Sequence, residues 1–127
     1  MLPYCRDTGV GVIPWSPLAR GLLARGRDGA GQTTRARTDE IAARLYDDDD
    51  YAVADAVVAL AQRRGVPPAQ IALAWLLHQP VVTAPIIGAS RAGHVDDAVA
   101  AVGLRLDEEE LAELAAPYRP HPVLGHE

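Results

Sequence analysis

The chain contains no lysine. All 12 of its basic residues are arginine. That excludes a lysine Schiff base, a Walker-type phosphate lysine and a lysine that tunes a neighbouring acid. Asn and Phe are absent as well, and aromatic residues make up only 5% of the chain. A single cysteine, Cys5, excludes an internal disulfide and a cysteine-rich zinc site. No apolar run reaches the about 18 residues that a membrane-spanning helix needs. The first residues, Met1-Leu2-Pro3-Tyr4-Cys5-Arg6, lack the basic-then-apolar pattern of a secretory signal, so a cytoplasmic location is expected. With 12 basic against 17 acidic residues the net charge is -5, which argues against nucleic acid as the main partner.

What is there is globular: 127 residues, 49% hydrophobic and 23% charged, enough for one domain. Val10-Gly11-Val12-Ile13-Pro14-Trp15 is a short apolar run before Ser16-Pro17, and it predicts a buried strand. Residues 24–37, rich in Gly and Arg, predict a long mobile loop, and residues 38–46 a short helix with Ile41, Ala42 and Leu45 on one face. The aspartates at 47–50 suit the positive end of a helix dipole. Val53, Ala56, Val57 and Leu60 then predict an amphipathic helix over 51–64, closed by Gly65. Pro67-Pro68 opens another helix, apolar nearly all round over 69–77. Residues 81–87 predict a second buried strand ending at Gly88. Ser90 is expected to cap a helix to about residue 102, with Val95, Ala98, Val99 and Val102 facing inward. Asp107 and Glu110 have the spacing of a capping box before a last helix carrying Leu111 and Leu114. Residues 118–127 predict an irregular tail.

Strands that are apolar on both faces and alternate with helices define the α/β class with a parallel sheet. Two strands neither close a barrel nor complete a doubly wound sheet. The chain is therefore expected to be part of a larger fold, with open sheet edges that lend themselves to self-association.

In parallel α/β folds ligands bind beyond the carboxyl ends of the strands. Two segments lie there. One is Trp15-Ser16-Pro17-Leu18-Ala19-Arg20-Gly21. The other is Gly88-Ala89-Ser90-Arg91, with His94 and Asp97 one and two turns into the next helix. Gly88 lets backbone approach a ligand. Ser90, the free helix N–H groups and the planar fork of Arg91 suit phosphate oxygens. His94 and Asp97 add an acceptor for a ribose or adenine. On spacing alone an ordinary capped helix with a solvated Arg is the better explanation of the second segment. Trp15 can stack on a flat ring or sit in the core; Trp75, in an apolar helix, reads as core. His78 reads as a polar helix cap. His121 and His126 match no metal pattern, Asp47 to Asp50 lack the interleaving of a calcium loop, and Cys5 reads as inert.

Taken in order, these segments resemble the aldo/keto reductase family. Residues 3–21, from Pro3-Tyr4-Cys5-Arg6 to Leu18-Ala19-Arg20-Gly21, look like its seventh-strand region. Pro85-Ile86-Ile87-Gly88-Ala89-Ser90-Arg91 looks like its eighth strand and NADP-binding loop. Arg64-Gly65-Val66-Pro67-Pro68-Ala69-Gln70-Ile71-Ala72-Leu73-Ala74-Trp75-Leu76 matches the region between them. The resemblance implies the last two strand–helix units of a (β/α)8 TIM barrel, so that residues 1–127 form a partial reductase domain. It implies hydride transfer between NADPH and an aldehyde or ketone. By position, Trp15 would stack on the nicotinamide, Ser16 and Leu18 would line the cofactor, and Arg20 would lie near its pyrophosphate. Ser90 and Arg91, beside Gly88, would meet the 2′-phosphate. His94 and Asp97 would face the adenosine. Ala98 departs from the Asn common in the family, which removes an adenine contact.

The family's catalytic Tyr, Lys, Asp and His belong to earlier strands. Tyr4, Tyr46, Tyr51 and Tyr118 do not stand in that context, and no Lys substitutes. A phenol needs a nearby cation to donate a proton near neutral pH. No catalytic and no metal residue is therefore assigned, and the chain alone is expected to be inactive. A carbonyl substrate is expected only if an N-terminal barrel portion completes the site. A non-catalytic NADP(H)-binding module and a non-functional truncated remnant are the alternatives.

Overall fold

Proline and glycine set the helix boundaries. The computed structural model describes residues 1–27 and 45–120. Helix α1 (Leu2–Thr8) carries Pro3 in its first turn and stops at Gly9, whose backbone is left-handed at φ 71°. After two extended turns of chain, a short 3-10 turn (Ala19–Gly21) leads into α2 (Leu22–Arg25). The predicted loop at 24–37 therefore begins inside a helix, and from residue 28 on it lies, like the predicted helix at 38–46 up to residue 44, outside the described residues.

Helix α3 (Asp48–Arg64) begins three residues before the expected start, because the aspartate run forms its first turn. Asp47 Oδ1 accepts the N–H groups of Asp49 and Asp50 at 2.9 and 3.1 Å, and Asp50 Oδ2 accepts the Asp47 N–H at 3.1 Å. Such a cap contributes about 1 kcal/mol. Gly65 closes the helix at φ 64°. Helix α4 (Pro68–Leu77) has four consecutive buried residues, Ile71 to Ala74, as an all-round apolar helix should. Helix α6 (Glu108–Ala115) carries the expected capping box of Asp107 and Glu110.

The core lies between these three helices. Val57, Leu60 and Ala61 of α3 meet Ile71, Ala72 and Ala74 of α4, with Leu106 and Leu114 closing the far side. Val57 and Leu60 point inward as expected, while Ala54 and Ala61 are buried in place of Val53 and Ala56, which are half-buried. Around the rim, Arg63 makes a bidentate pair with Glu113, and Arg64 reaches Glu110 at 3.4 Å and the Arg105 carbonyl at 2.7 Å. The Arg63 hydrogen bond holds the Glu113 carboxyl below its ordinary range and raises Arg63 in turn. His78 caps α4, as its position suggested, and does more. Its Nδ1 lies 2.8 Å from the Ala74 carbonyl while Nε2 accepts the Leu106 N–H at 3.3 Å, which ties the end of α4 to the segment before α6.

The two predicted strands are a correction in part. They pair, in parallel, but neither is buried on both faces. Val12 N–H donates to Val81 O at 2.9 Å, Thr83 N–H to Val12 O at 2.9 Å, and Ile86 N–H to Pro14 O at 2.8 Å. Val12 thus stands opposite Val82, whereas Trp15 stands opposite Ile86. The second segment has one residue more over this stretch. The reason is chemical. A regular parallel ladder would offer the N–H of residue 85 to Pro14 O, and Pro85 has none. Ile86 supplies it instead. Gly11 suits this close pairing, since a Cβ on it would run into the Thr83 hydroxyl unless that side chain turned away. With no further strand among the described residues to flank the pair, Val10, Ile13, Trp15 and Ile86 stay exposed.

Helix α5 (Ala92–Gly103) is also rotated relative to expectation. Val95, Val99 and Val102 are 47, 67 and 66% exposed, and Ala101 is the buried position. The helix packs on α4 through its small and polar face, where Asp97 and Ala98 are half-buried, because alanine permits close approach. Residues 118–120 follow α6 without regular structure, and the rest of the predicted tail, with His121 and His126, lies outside the described residues. Among the described residues no helix is long and apolar enough to cross a membrane.

Candidate functional site

Parallel pairing locates the site. Because Trp15 lies beside Ile86 in strands of the same direction, the loops that leave them begin at one common end. That is the end at which parallel α/β folds bind ligands.

The loop after Trp15 holds all three left-handed non-glycine residues of the described chain: Ser16 at φ 53°, Ala19 at 47° and Arg20 at 53°. Each costs on the order of 1–2 kcal/mol, and such strain gathers at functional loops. It persists because the loop is tied from both sides. Ser16 O accepts the Ala19 N–H at 3.0 Å, and Leu18 O accepts the N–H groups of Gly21 and Leu23 at 2.8 and 3.3 Å. The half-buried Leu18 side chain packs against the helical core. Arg25 reaches back to the Arg20 carbonyl at 3.5 Å. Gly21, at φ 98°, has no room for a side chain beside that guanidinium. The Trp15 ring is 77% exposed, so it is a surface ring and not a core residue; Trp75 packs against the core as expected.

In the second loop Gly88 is exposed, with open space where a Cβ would stand. Ser90 does not cap α5, contrary to expectation. The cap is Arg91, in extended conformation at φ -144°, ψ 150°, and its side chain makes no capping bond. Its carbonyl accepts the His94 N–H at 3.1 Å. The Ser90 N–H points at His94 Nδ1 from 3.4 Å, a long contact that precedes the helix, so no side chain caps the first-turn amides. The hydroxyl of Ser90 and the guanidinium of Arg91 are exposed. The first turn, Ala92-Gly93-His94, carries no acidic side chain, so the positive end of the helix faces outward uncompensated. Asp97 is half-buried, and its Oδ1 accepts from Gln70 Nε2 at 2.9 Å.

The fold thus brings the Trp15-to-Arg20 loop and the Gly88-to-Arg91 loop, with His94 behind it, to one end of the strand pair. Asp97 stands deeper, against α4. Two features escaped the sequence reading. The left-handed trio falls on Ser, Ala and Arg, which carry no signal of it. The Gln70 contact joins residues 27 apart, and Gln70 lies in a helix whose only visible feature is its apolarity. A shallow depression of about 470 Å3 lined by Leu2, Pro3, Arg6 and Asp7 of α1 involves none of the site residues. Among the described residues no group of three His, Cys, Asp or Glu side chains could hold a metal ion.

Two strand–loop–helix units with ligand loops at the carboxyl end define a portion of a (β/α)8 barrel. Solved structures agree. The chain superposes on the glycerol dehydrogenase AKR11B4 from Gluconobacter oxydans with a TM-score of 0.68, 27% identity, and coverage of 97% of this chain and 39% of that one. A thermostable aldo-keto reductase, Tm1743, in complex with the inhibitor epalrestat gives a TM-score of 0.62 at 26% identity over 92% of this chain and 33% of that one. In sequence, a protein of Schizosaccharomyces pombe provisionally named an aryl-alcohol dehydrogenase is 45% identical over 126 residues, which is 98% of this chain and 35% of that one. The versiconal hemiacetal acetate reductase of Aspergillus parasiticus is 40% identical over 97% of this chain and 36% of its own length. The family model described as "Aldo/keto reductase family" matches residues 1–119. The chain belongs to the aldo/keto reductase family, and its fold is that of the C-terminal strand–helix units of the barrel. It spans about a third of the length of the relatives that it matches.

Proposed function

We propose that the chain is the cofactor-holding part of an NADP-dependent aldo/keto reductase acting on an aldehyde or ketone, in the cytoplasm. The observation that supports this is the shared end of the two parallel segments, from which one loop leaves at an exposed indole and the other leads to a helix start without acidic side chains, with Arg91 at its cap.

The residues fit the cofactor group by group. A flat ring suits Trp15, whose face is open to solvent. Ser16 and Leu18 follow it in the same loop, Leu18 partly buried against the core, and strained Arg20 comes next to them. Phosphate oxygens suit the amides of the α5 N-terminus, the Ser90 hydroxyl and the Arg91 fork, with the bare backbone of Gly88 allowing close approach. The long Ser90–His94 contact yields readily to a stronger acceptor. Asp97 keeps one carboxylate oxygen for an adenosine donor. Bound there, the cofactor supplies the hydride for carbonyl reduction. The chain's own residues orient the nucleotide and shield one face of its ring.

The proton is another matter. Tyr4 lies on α1, Tyr51 on α3 under the Arg27 guanidinium at 4.8 Å, and Tyr118 after α6, while Tyr46 precedes α3. None belongs to the two loops, and there is no lysine to lower a phenol's pKa. Proton donation to the carbonyl oxygen is the task of groups outside this chain, which alone turns over no substrate.

Titration with NADPH, read by tryptophan fluorescence, tests the reading. Saturable quenching is expected, lost in Trp15→Leu. Binding should be roughly tenfold weaker for NADH, a preference that Arg91→Ala abolishes. A folded chain that shows no saturable binding refutes it. Carbonyl-dependent NADPH oxidation by the chain alone should stay at background.

A further inference from the structure

We infer that Gln70 is a positioning residue for the adenosine half of this site: it holds the Asp97 carboxylate so that its second oxygen faces the nucleotide. The inference rests on the cofactor reading above.

Gln70 lies in the first turn of α4, next to the fully buried Ile71, so its backbone is anchored by the core. Its Nε2 donates to Asp97 Oδ1 at 2.9 Å, with both side chains partly buried. A carboxylate has about four acceptor positions, so this bond leaves Oδ2 available. Asp97 stands where the inner face of α5 changes character. One turn on, Ala101 is packed; one turn back, His94 is exposed. Half-buried Asp97 therefore stands between the packed layer and the exposed start of the helix. A free aspartate samples several χ1 and χ2 rotamers, and fixing it before the ligand arrives removes that ordering cost from binding. The donor is a neutral amide. A guanidinium in its place would neutralise the carboxylate, whereas the amide orients it and leaves it a strong acceptor for an adenine amino group or a ribose hydroxyl.

The test is a double-mutant cycle on the full 127-residue chain, with NADPH as the probe. Gln70→Met keeps the length of the side chain and removes the donor; it should weaken binding about three- to tenfold, the range of one lost hydrogen bond. In an Asp97→Ala background the same substitution should change nothing further. Gln70→Glu, which sets a second carboxylate against Asp97, should weaken binding at least as much, and it serves as the second variant if Gln70→Met does not fold. Equal losses from Gln70→Met with and without Asp97 mean a merely structural role and overturn the inference, as does unchanged affinity in the single variants. Absence of NADPH binding by the unmodified chain overturns the cofactor reading itself, and this one with it.

Discussion

The helical layer of α3, α4 and α6 and the pair of extended segments lie side by side, yet they reach order by opposite means. Each helix satisfies most of its own backbone, α3 and α6 carry their own capping boxes, and α4 is covered by its neighbours. The layer therefore closes on itself, with Leu60 and Ile71 wholly buried and a belt of arginine–glutamate pairs. A strand holds half its hydrogen bonds in trust for a neighbour. The extended segments share three bonds and leave Ile13, Trp15 and Ile86 in solvent. Stability in this chain resides in the helices, while the ligand-facing chemistry resides at the ends of the least supported elements.

The sharpest way to break that contrast is to cut matching side chains on its two sides. Ile71→Ala should cost about 2–5 kcal/mol in urea unfolding, whereas Ile13→Ala, at a site 60% exposed, should stay within about 1 kcal/mol. Equal losses would mean that the strands carry as much of the fold as the helices. A smaller effect probes the joint between the two regions. Gly26 sits at φ 68°, and a Cβ there would stand 2.8 Å from Val58 Cγ2 of α3. Gly26→Ala should therefore cost about 1–3 kcal/mol in the same measurement. The smallest concerns the rim. Because Arg63 lowers the Glu113 pKa, this pair's contribution is full above the ordinary carboxylate range and is lost as pH falls through the lowered value. The urea midpoints of the unmodified chain and Glu113→Gln should differ slightly at neutral pH and converge in acid. A gap that widens in acid would contradict the assigned cause.

What could be read from the sequence follows the same division. Helix ends are written locally: Asp47 with Asp50, Gly65, Pro68 and Asp107 with Glu110 each act within a turn of where they stand. The two ligand loops were legible because strand ends and glycine-bounded apolar runs are local too. The inward face of α5 was not. Its valines at 95, 99 and 102 make the stronger apolar stripe, but the partner helix α4 takes the alanine side, and nothing within α5 records that choice. Ser90 failed as a cap for a related reason: the backbone turns helical one residue later, and the extended Arg91 takes the cap position without a side-chain bond. The Gln70–Asp97 bond is set by tertiary packing alone.

The skipped residue between the paired segments has a consequence for the nucleotide loop. Side chains alternate from one side of a strand to the other, so a shift of a single position inverts everything downstream. Two imino acids, Pro14 and Pro85, fix that shift by what they fail to donate. The direction in which Gly88 to Arg91 leave the sheet is thus decided several residues upstream, by a missing hydrogen atom, and an alanine at position 85 would offer the chain a second phase in which the same loop faces the other way.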